Sequence, residues 1–483
     1  MKTTIAPITR AARRHSLAVL ALFVALGGTG YAAANHLMAR NTVGSAQVIN
    51  GSLQKKDLSK KALTALKGAR GARGLRGPVG AAGIQGAPGT MGSPGAVGAQ
   101  GQPGVQGLQG PAGPALVRTT PGAVTIATLD AAGVGIGHDG EDTSAIIGAD
   151  GLGLLSYFDE TNTDLRVAHC NDVACSGATK TTLDSAGDVG RGSSVVLGAD
   201  GLGLISYRDK TNGTLKVAHC DNTACTSATV STVQSNIGSN PLSWDTSATV
   251  GPGPEGLALI SYTTQSGVEL HVAHCANLMC TSASASPELD GASIAGEPSM
   301  TLGADGLGLI SYRATNEDLR VAHCNDVACT SAVVTILDSL GSVGGNSSVA
   351  IGTDGLGLIA YTDDTNDHLK VAHCNNRACT NATSSTIDNA ANSGGWPSVT
   401  IGTDGLGLIS YSSNGYLSFA HCRSSDCTSA SVNTPVKFAN GTEASLTIGT
   451  DGLGLVSHYD RSTGKLKVAH CSNPFCVPYL RRR

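Results

Sequence analysis

Residues 354–379 read DGLGLIAYTDDTNDHLKVAHCNNRAC, and this stretch recurs with small changes seven times along the chain. Within it, LGLIAY (356–361) and LKVAHC (369–374) are short apolar runs of strand length, separated by the polar Asp363-Asp364-Thr365-Asn366. Asp and Gly tolerate the dihedrals of tight turns, so the Thr-Asp-Gly before the first run marks a turn. Upstream of that turn lies a Ser-x-x-Ile-Gly segment, as in Ser398-Val399-Thr400-Ile401-Gly402. Downstream of the cysteines comes a β-branched run, as in TSAVVTIL (330–337). The unit is therefore four short strands, a to d, repeated about every 50 residues, which is the arrangement of a propeller blade. The markers are DGLGL, beginning at Asp150, Asp200, Asp305, Asp354, Asp404 and Asp451, and VAHC-x4-C. The third unit departs and reads PEGLAL around Glu255.

The seventh unit ends at Cys476 with only VPYLRRR after it, too little for its own strand d. A matching strand stands at the front: Ala123–Asp130 (AVTIATLD) resembles Ala178–Asp184 (ATKTTLD). A strand carried from the N-terminal side would close the ring and remove its exposed edges. The sequence thus predicts an all-β, seven-bladed propeller of four-stranded blades over 119–483, closed by 123–130. An open solenoid or β-helix is the alternative, and would need caps instead of a circular shift.

Ahead of the propeller, Gly occupies every third position from Gly68 to Gly113. Only Gly fits at the axis of three wound chains, so 68–115 reads as a collagen-like triple helix and implies a homotrimer. Its 48 residues at ~3 Å each would span roughly 140 Å. A Gly-rich linker is the competing reading. Residues 35–67 form a basic neck, in which Leu53, Leu58, Ala62 and Leu66 outline a short helical stripe or a linker.

Residues 1–34 carry Lys2, Arg10, Arg13 and Arg14, then the apolar SLAVLALFVAL (16–26) and the small run Ala32-Ala33-Ala34. That is the layout of a secretory signal, expected to be removed after Ala34, or else retained as an anchor. Residues 1–118 hold 14 Lys or Arg against one acid, Asp57, whereas 119–483 hold 18 basic and 35 acidic residues. An acidic head argues against nucleic-acid binding, which needs a cationic footprint.

Two resemblances rest on these motifs. The front, with GTGYAA and VGSAQVINGSLQKKDL before the Gly-x-y run, resembles exported collagen-like proteins of Gram-positive bacteria, notably actinobacteria. It implies export and surface display. The repeats, with SY, LKVAHC and C-x4-C in order, resemble those of exported bacterial seven-repeat β-propeller proteins, and imply that fold without a substrate.

The cysteine pairs Cys170/Cys175, Cys220/Cys225, Cys275/Cys280, Cys324/Cys329, Cys374/Cys379, Cys422/Cys427 and Cys471/Cys476 share one spacing. They are expected to be disulfides that close the c–d hairpins, as suits an oxidising compartment. The histidines before them are His169, His219, His274, His323, His373, His421 and His470. Neighbours on a strand point to opposite faces, so a His-Cys pair cannot readily chelate one metal. Seven equivalent copies also argue against a catalytic His. These histidines are expected to be structural, hydrogen-bonded to the Tyr or Ser of strand b, with Asp150 and its counterparts forming turns.

The inner strands offer Ser144, Ser194, Ser247, Ser299, Ser348, Ser398 and Ser445, a ring read as unbroken by any His or acid. No catalytic residue, metal or cofactor is expected. The acidic loops at Asp159-Glu160 and Asp363-Asp364 are the alternative for a calcium ion, although they lack the spacing of an EF-hand loop. Trp244 and Trp396, the two tryptophans, lie in connectors and are the candidates for ligand contact. The function favoured is binding or adhesion to an extracellular glycan or surface polymer, by a secreted or cell-surface protein. A structural coat component and an exported enzyme are the alternatives. If residues 68–115 wind into a triple helix, the protein lacking residues 1–34 sediments as a trimer and shows a far-UV melting step separate from that of the propeller; micromolar monomers without that step would contradict it.

Overall fold

The computed structural model describes residues 124–130, 143–238, 245–252, 255–264, 269–291, 293–437, 441–460 and 463–477. The expected signal, neck and collagen-like segment lie outside them, as does Trp244. Every regular element described is a β-strand. Among the described residues no helix is long and apolar enough to cross a membrane.

The chain opens with strand β1 (Val124–Asp130) and then builds its first blade from β2 (Thr143–Ile147), β3 (Gly153–Asp159), β4 (Asp164–Cys170) and β5 (Ala178–Asp184). Five more antiparallel blades follow as β6–β9 (Val189–Gln234), β10–β13 (Thr246–Ala285), β14–β17 (Ile294–Asp338), β18–β21 (Val343–Asp388) and β22–β25 (Gly395–Lys437). The seventh has three strands of its own, β26 (Gly441–Ile448), β27 (Gly454–Asp460) and β28 (Lys465–Cys471). Its fourth is β1, which runs antiparallel to β28 from Val124↔Cys471 to Asp130↔Leu466. β1 and β5 therefore hold the same outermost position in their blades.

The turns explain the repeated motifs. In the first blade Gly151 N–H donates to Gly148 C=O at 2.9 Å, and the Asp150 carboxylate accepts the Leu152 N–H at 3.1 Å. Gly151 sits at φ 83°, a conformation that only Gly adopts without penalty. The second glycine of DGLGL has another task. A Cβ on Gly153 would lie 2.7 Å from Cys170 Sγ and 2.9 Å from a Leu455 methyl, so its absence lets the disulfide and the next blade close in.

All fourteen cysteines pair as the spacing predicts, Cys170 with Cys175, Cys220 with Cys225, Cys275 with Cys280, Cys324 with Cys329, Cys374 with Cys379, Cys422 with Cys427 and Cys471 with Cys476, with Cα atoms 4.8 to 5.0 Å apart. The bonds close the turn of each c–d hairpin, as expected from the sequence. The first cysteine of each pair is the last residue of strand c, but Cys175, Cys225, Cys280, Cys329, Cys379, Cys427 and Cys476 lie in the loop beyond it, outside any strand. The partner of Cys170 across the ladder is Ala178, and the bond to Cys175 closes the loop short of strand d. These seven loop cysteines are fully buried and all adopt a left-handed backbone, with φ between 47° and 54°. Side chains other than Gly occupy that region at a cost of about 1–2 kcal/mol. Two bonds hold each one there. The disulfide is one, and the other is a turn hydrogen bond, as where Cys175 N–H donates to the Asp172 carbonyl at 3.0 Å. Closing a six-residue loop contributes about 2 kcal/mol per disulfide in the chain-entropy picture, which offsets the backbone cost.

No single core fills the ring. Apolar side chains gather in clusters between adjacent blades: Leu155, Tyr157 and Ala168 of the first blade, for example, pack on Leu455, Leu466 and Val468 of the seventh. Around the axis the inner strands are stitched by serines. Val195 N–H donates to Ser144 Oγ, Ala248 to Ser194, Met300 to Ser247, Val349 to Ser299, Val399 to Ser348 and Leu446 to Ser398. The circle closes where Ala145 N–H donates to Ser445 Oγ at 3.1 Å, across the junction of the seventh and first blades. Without β1 the last blade would expose an unpaired ladder and an apolar face. Deleting residues 119–131 is therefore expected to lower the melting temperature of the propeller sharply and open it to protease, whereas deleting 35–113 leaves that melt in place; equal melts for the two truncations would refute a stabilising role for β1.

Candidate functional site

The repeated His and Asp meet, and not as the sequence suggested. His169 Nε2 lies 2.8 Å from Asp150 Oδ2, and His219–Asp200, His323–Asp305, His373–Asp354 and His470–Asp451 repeat the contact at 2.9 to 3.0 Å. The partner is thus the carboxylate of the a–b turn, not the Tyr or Ser of strand b. One oxygen of each Asp holds the turn and the other faces the imidazole. In the sixth blade His421 and Asp404 approach at 2.9 Å without hydrogen-bond geometry, and Phe475 packs edge-on against the His421 ring. The third blade has Glu255 at the turn, and His274 meets no carboxylate among the described residues. Among those residues no three His, Cys, Asp or Glu converge as metal ligands.

A second set of carboxylates locks blade to blade. Asp184, at the end of β5, accepts from Tyr207 Oη at 2.7 Å and Lys216 Nζ at 2.5 Å, both in the next blade. Asp338 does the same with Tyr361 and Lys370, Asp290 with Tyr312 and Arg320, and Asp130 with Tyr157 and Arg166. Asp388 keeps only the tyrosine, Tyr411. Burial and the neighbouring carboxylates push these phenols far above their ordinary range. Two junctions lack the carboxylate: Gln234 stands in its place before Tyr262, and Val436 before His458. His458 is fully buried, and that desolvation takes its pKa down to about 4.

Near the axis a cavity of about 140 Å³ is lined by the inner serines together with Thr143, Thr246, Asn346 and Asp245. The ring of hydroxyls is therefore broken by one acid, which the sequence reading passed over because Asp245 precedes the serine of its strand by two residues. Its neighbour in charge is the buried Arg208, whose guanidinium also donates to the Ile237 and Thr263 carbonyls. Burial lowers the Arg208 pKa to about 10, and Asp245 acts against that shift.

Trp396 lies in a polar cleft between the fifth and sixth blades. In β22 (Gly395–Ile401) the pairing passes from Gly395↔Ser412 to Ser398↔Ser410, leaving Trp396 and Pro397 in a bulge. Trp396 has φ 46°. The matching positions, two residues before the strand-a serine, are Gly192 at φ 56° and Asn346 at φ 49°. Three blades thus take a left-handed backbone there, which Gly and Asn accept and a bulky residue adopts at a cost of about 1 kcal/mol. Against that cost the sixth blade places a half-buried indole at the wall of a cleft of about 380 Å³. The wall continues with Thr362, Asp364 and Asp367 of the fifth blade and Asn392 and Asn414 beside the sixth. Burial raises the Asp364 pKa, and Arg313 Nη1, 2.9 Å away, pulls it back.

Residues 65–123 match the model of the collagen triple helix repeat (20 copies). No curated protein sequence matches the chain. Among solved structures, the chain is similar to a protein of unknown function from Dyadobacter fermentans, at 11% identity over 72% of this chain and 98% of that one, with a TM-score of 0.43. It is also similar to the lectin of Aleuria aurantia, solved with a fucosylated sugar, at 14% identity over 61% and 95%, with a TM-score of 0.42. An α-L-arabinofuranosidase from Fusarium graminearum matches at 10% identity over 72% and 96%, with a TM-score of 0.45. These likenesses concern the fold alone.

The junction carboxylates make stability depend on acid. Burial works to raise the pKa of Asp184 and Asp338, but the hydrogen bonds from Lys216 and Tyr207, and from Lys370 and Tyr361, outweigh it and leave both below the ordinary carboxylate range. A depressed native pKa gives stability that is present above the unfolded value of about 4 and lost as pH falls through the native one. Asp338→Asn is expected to cost roughly 1–3 kcal/mol at neutral pH, by leaving Lys370 without its carboxylate, and to show a shallower loss of melting temperature in acid than the native protein. Parallel melting curves for the two proteins across the acid range would contradict this.

Proposed function

We propose that this is an exported binding protein, without catalytic activity, that carries its propeller on a trimeric collagen-like stalk and holds a carbohydrate in the cleft beside Trp396. The observation that carries the reading is the tryptophan itself, set in a left-handed bulge where two sister blades place Gly192 and Asn346. An aromatic face flanked by carboxylate and amide groups offers a sugar both a stacking surface and polar partners for its hydroxyls. The collagen-repeat match at 65–123 supports trimerisation, and seven local disulfides suit a protein made for an oxidising compartment. Three heads on one stalk would bind a polymer by avidity, so each site can be weak.

The test is glycan-array binding by the native protein and by Trp396→Asn, which takes the residue of the sister blade and so respects the backbone. The native protein is expected to bind a defined set of glycans, and the variant to lose about tenfold in affinity with its melting temperature held. An array without signal, or a signal that the variant leaves intact, would overturn the proposal.

A further inference from the structure

The cleft beside Trp396 has an unequal supply of hydrogen-bonding groups. Four of its side-chain donors are already engaged within the protein. Thr362 Oγ1 donates to the Gly394 carbonyl at 2.6 Å, and Ser393 Oγ to the Asp388 carbonyl at 3.0 Å. Asn414 Nδ2 donates to the Ala391 carbonyl at 2.7 Å, and Asn392 Nδ2 to Asn414 Oδ1 at 3.3 Å. The acceptors are left over. Among the described residues, none donates a hydrogen bond to the exposed Asp367 carboxylate, and the only side-chain donor to Asp364 is Arg313.

Charge points the same way. Among the described residues no Lys, Arg or His lines the cleft. Beside it the Arg313 guanidinium pairs with Asp364 and Glu317, while the carboxylates of Asp363, Asp367 and Glu317 add to the burial that raises the Asp364 pKa. A wall of surplus acceptors with net negative charge, next to an indole face, suits a ligand that brings both donors and positive charge: an ammonium attracts carboxylate oxygens and the face of a tryptophan ring together. It disfavours uronic-acid and sulfated sugars, whose anions would meet like charge.

We infer that the cleft formed by Trp396, Asp364 and Asp367 selects glycans that carry free amines, such as de-N-acetylated hexosamine oligomers, over their N-acetylated and anionic counterparts. The inference rests on the carbohydrate reading above and narrows it to one class. Acetylation removes the charge and two of the donors of the amine, so the N-acetylated oligomer is the sharpest control.

The experiment is calorimetric titration of the full chain with three oligosaccharides of equal length, made of glucosamine, N-acetylglucosamine and glucuronate, at mildly acidic pH where the sugar amine is protonated. The glucosamine oligomer is expected to bind best, with an affinity that falls as salt is added. Asp367→Asn, which retains the shape and tolerates the φ of 56° at that position, is expected to weaken glucosamine binding about fivefold, the size of one partly exposed charge contact, and to leave the melting temperature unchanged. Equal or tighter binding of the N-acetylated or glucuronate oligomer through Trp396 would overturn the amine preference while leaving the carbohydrate reading standing. Glucosamine binding untouched by Asp367→Asn would overturn the role of that carboxylate and with it the inference. No binding of any of the three, nor of any array glycan, would overturn both readings.

Discussion

The backbone N–H of each innermost strand donates to a serine hydroxyl of the blade before it, and the rest of the propeller depends on that circle being complete. A four-stranded sheet with apolar side chains on both faces cannot stand alone in water. Here each face is covered by a neighbour, and the cover of the first blade is the seventh. The bond from Ala145 to Ser445 and the packing of Leu155 on Leu466 belong to a junction that joins distant ends of the sequence. Farther from the axis, at five of the seven junctions, carboxylates at the ends of the outer strands fasten one blade to a tyrosine and usually a cation of the next, so the contacts there are polar at both radii and apolar between them.

Much of this was legible in the residues. DGLGL announces its turn because Gly151 needs a positive φ, and the spacing of LGLIAY, LKVAHC and C-x4-C gives the strands their order. The disulfide partners follow from one spacing used seven times, and the likeness of Ala123–Asp130 to Ala178–Asp184 marks two strands that hold the same place in their blades. The left-handed backbone of Cys175 and its counterparts left no such mark, because a cysteine, unlike a glycine, does not advertise a positive φ. Contact between elements escaped as well. The imidazole of His169 finds Asp150 because the a–b turn folds back beside strand c, and nothing in the motif says which of the polar neighbours will face it. The locks between blades did leave a trace: an Asp stands 23 residues before a strand-b tyrosine at Asp184, Asp338 and Asp388, whereas Gln234 and Val436 are known to hold the same place only from the strand register. Trp396 was visible as a rare residue in a connector, but its bulge and the cleft around it come from the pairing of β22 with its neighbour.

The departures from sevenfold repetition are concentrated. Six turns carry Asp and one carries Glu255; the hydroxyl lining of the axis is interrupted at Asp245, in the same third blade. The indole stands at the wall between the fifth and sixth blades, and the next junction is the one where His458 replaces a tyrosine. Repetition supplies a rigid frame in which one blade can change without the others moving, because each blade is knitted internally by its own ladder and disulfide and touches only its neighbours.

The position of β1 also has a mechanical meaning. The chain passes from the Gly-x-y residues into the propeller at Val124, so tension along that path enters the ring through the ladder between β1 and β28. Val124 faces Cys471, itself tied to Cys476, and at the far end of the strand Asp130 is held by Tyr157 and Arg166 of the first blade. A pull along that path would be shared by two blades, through the strand that closes the circle.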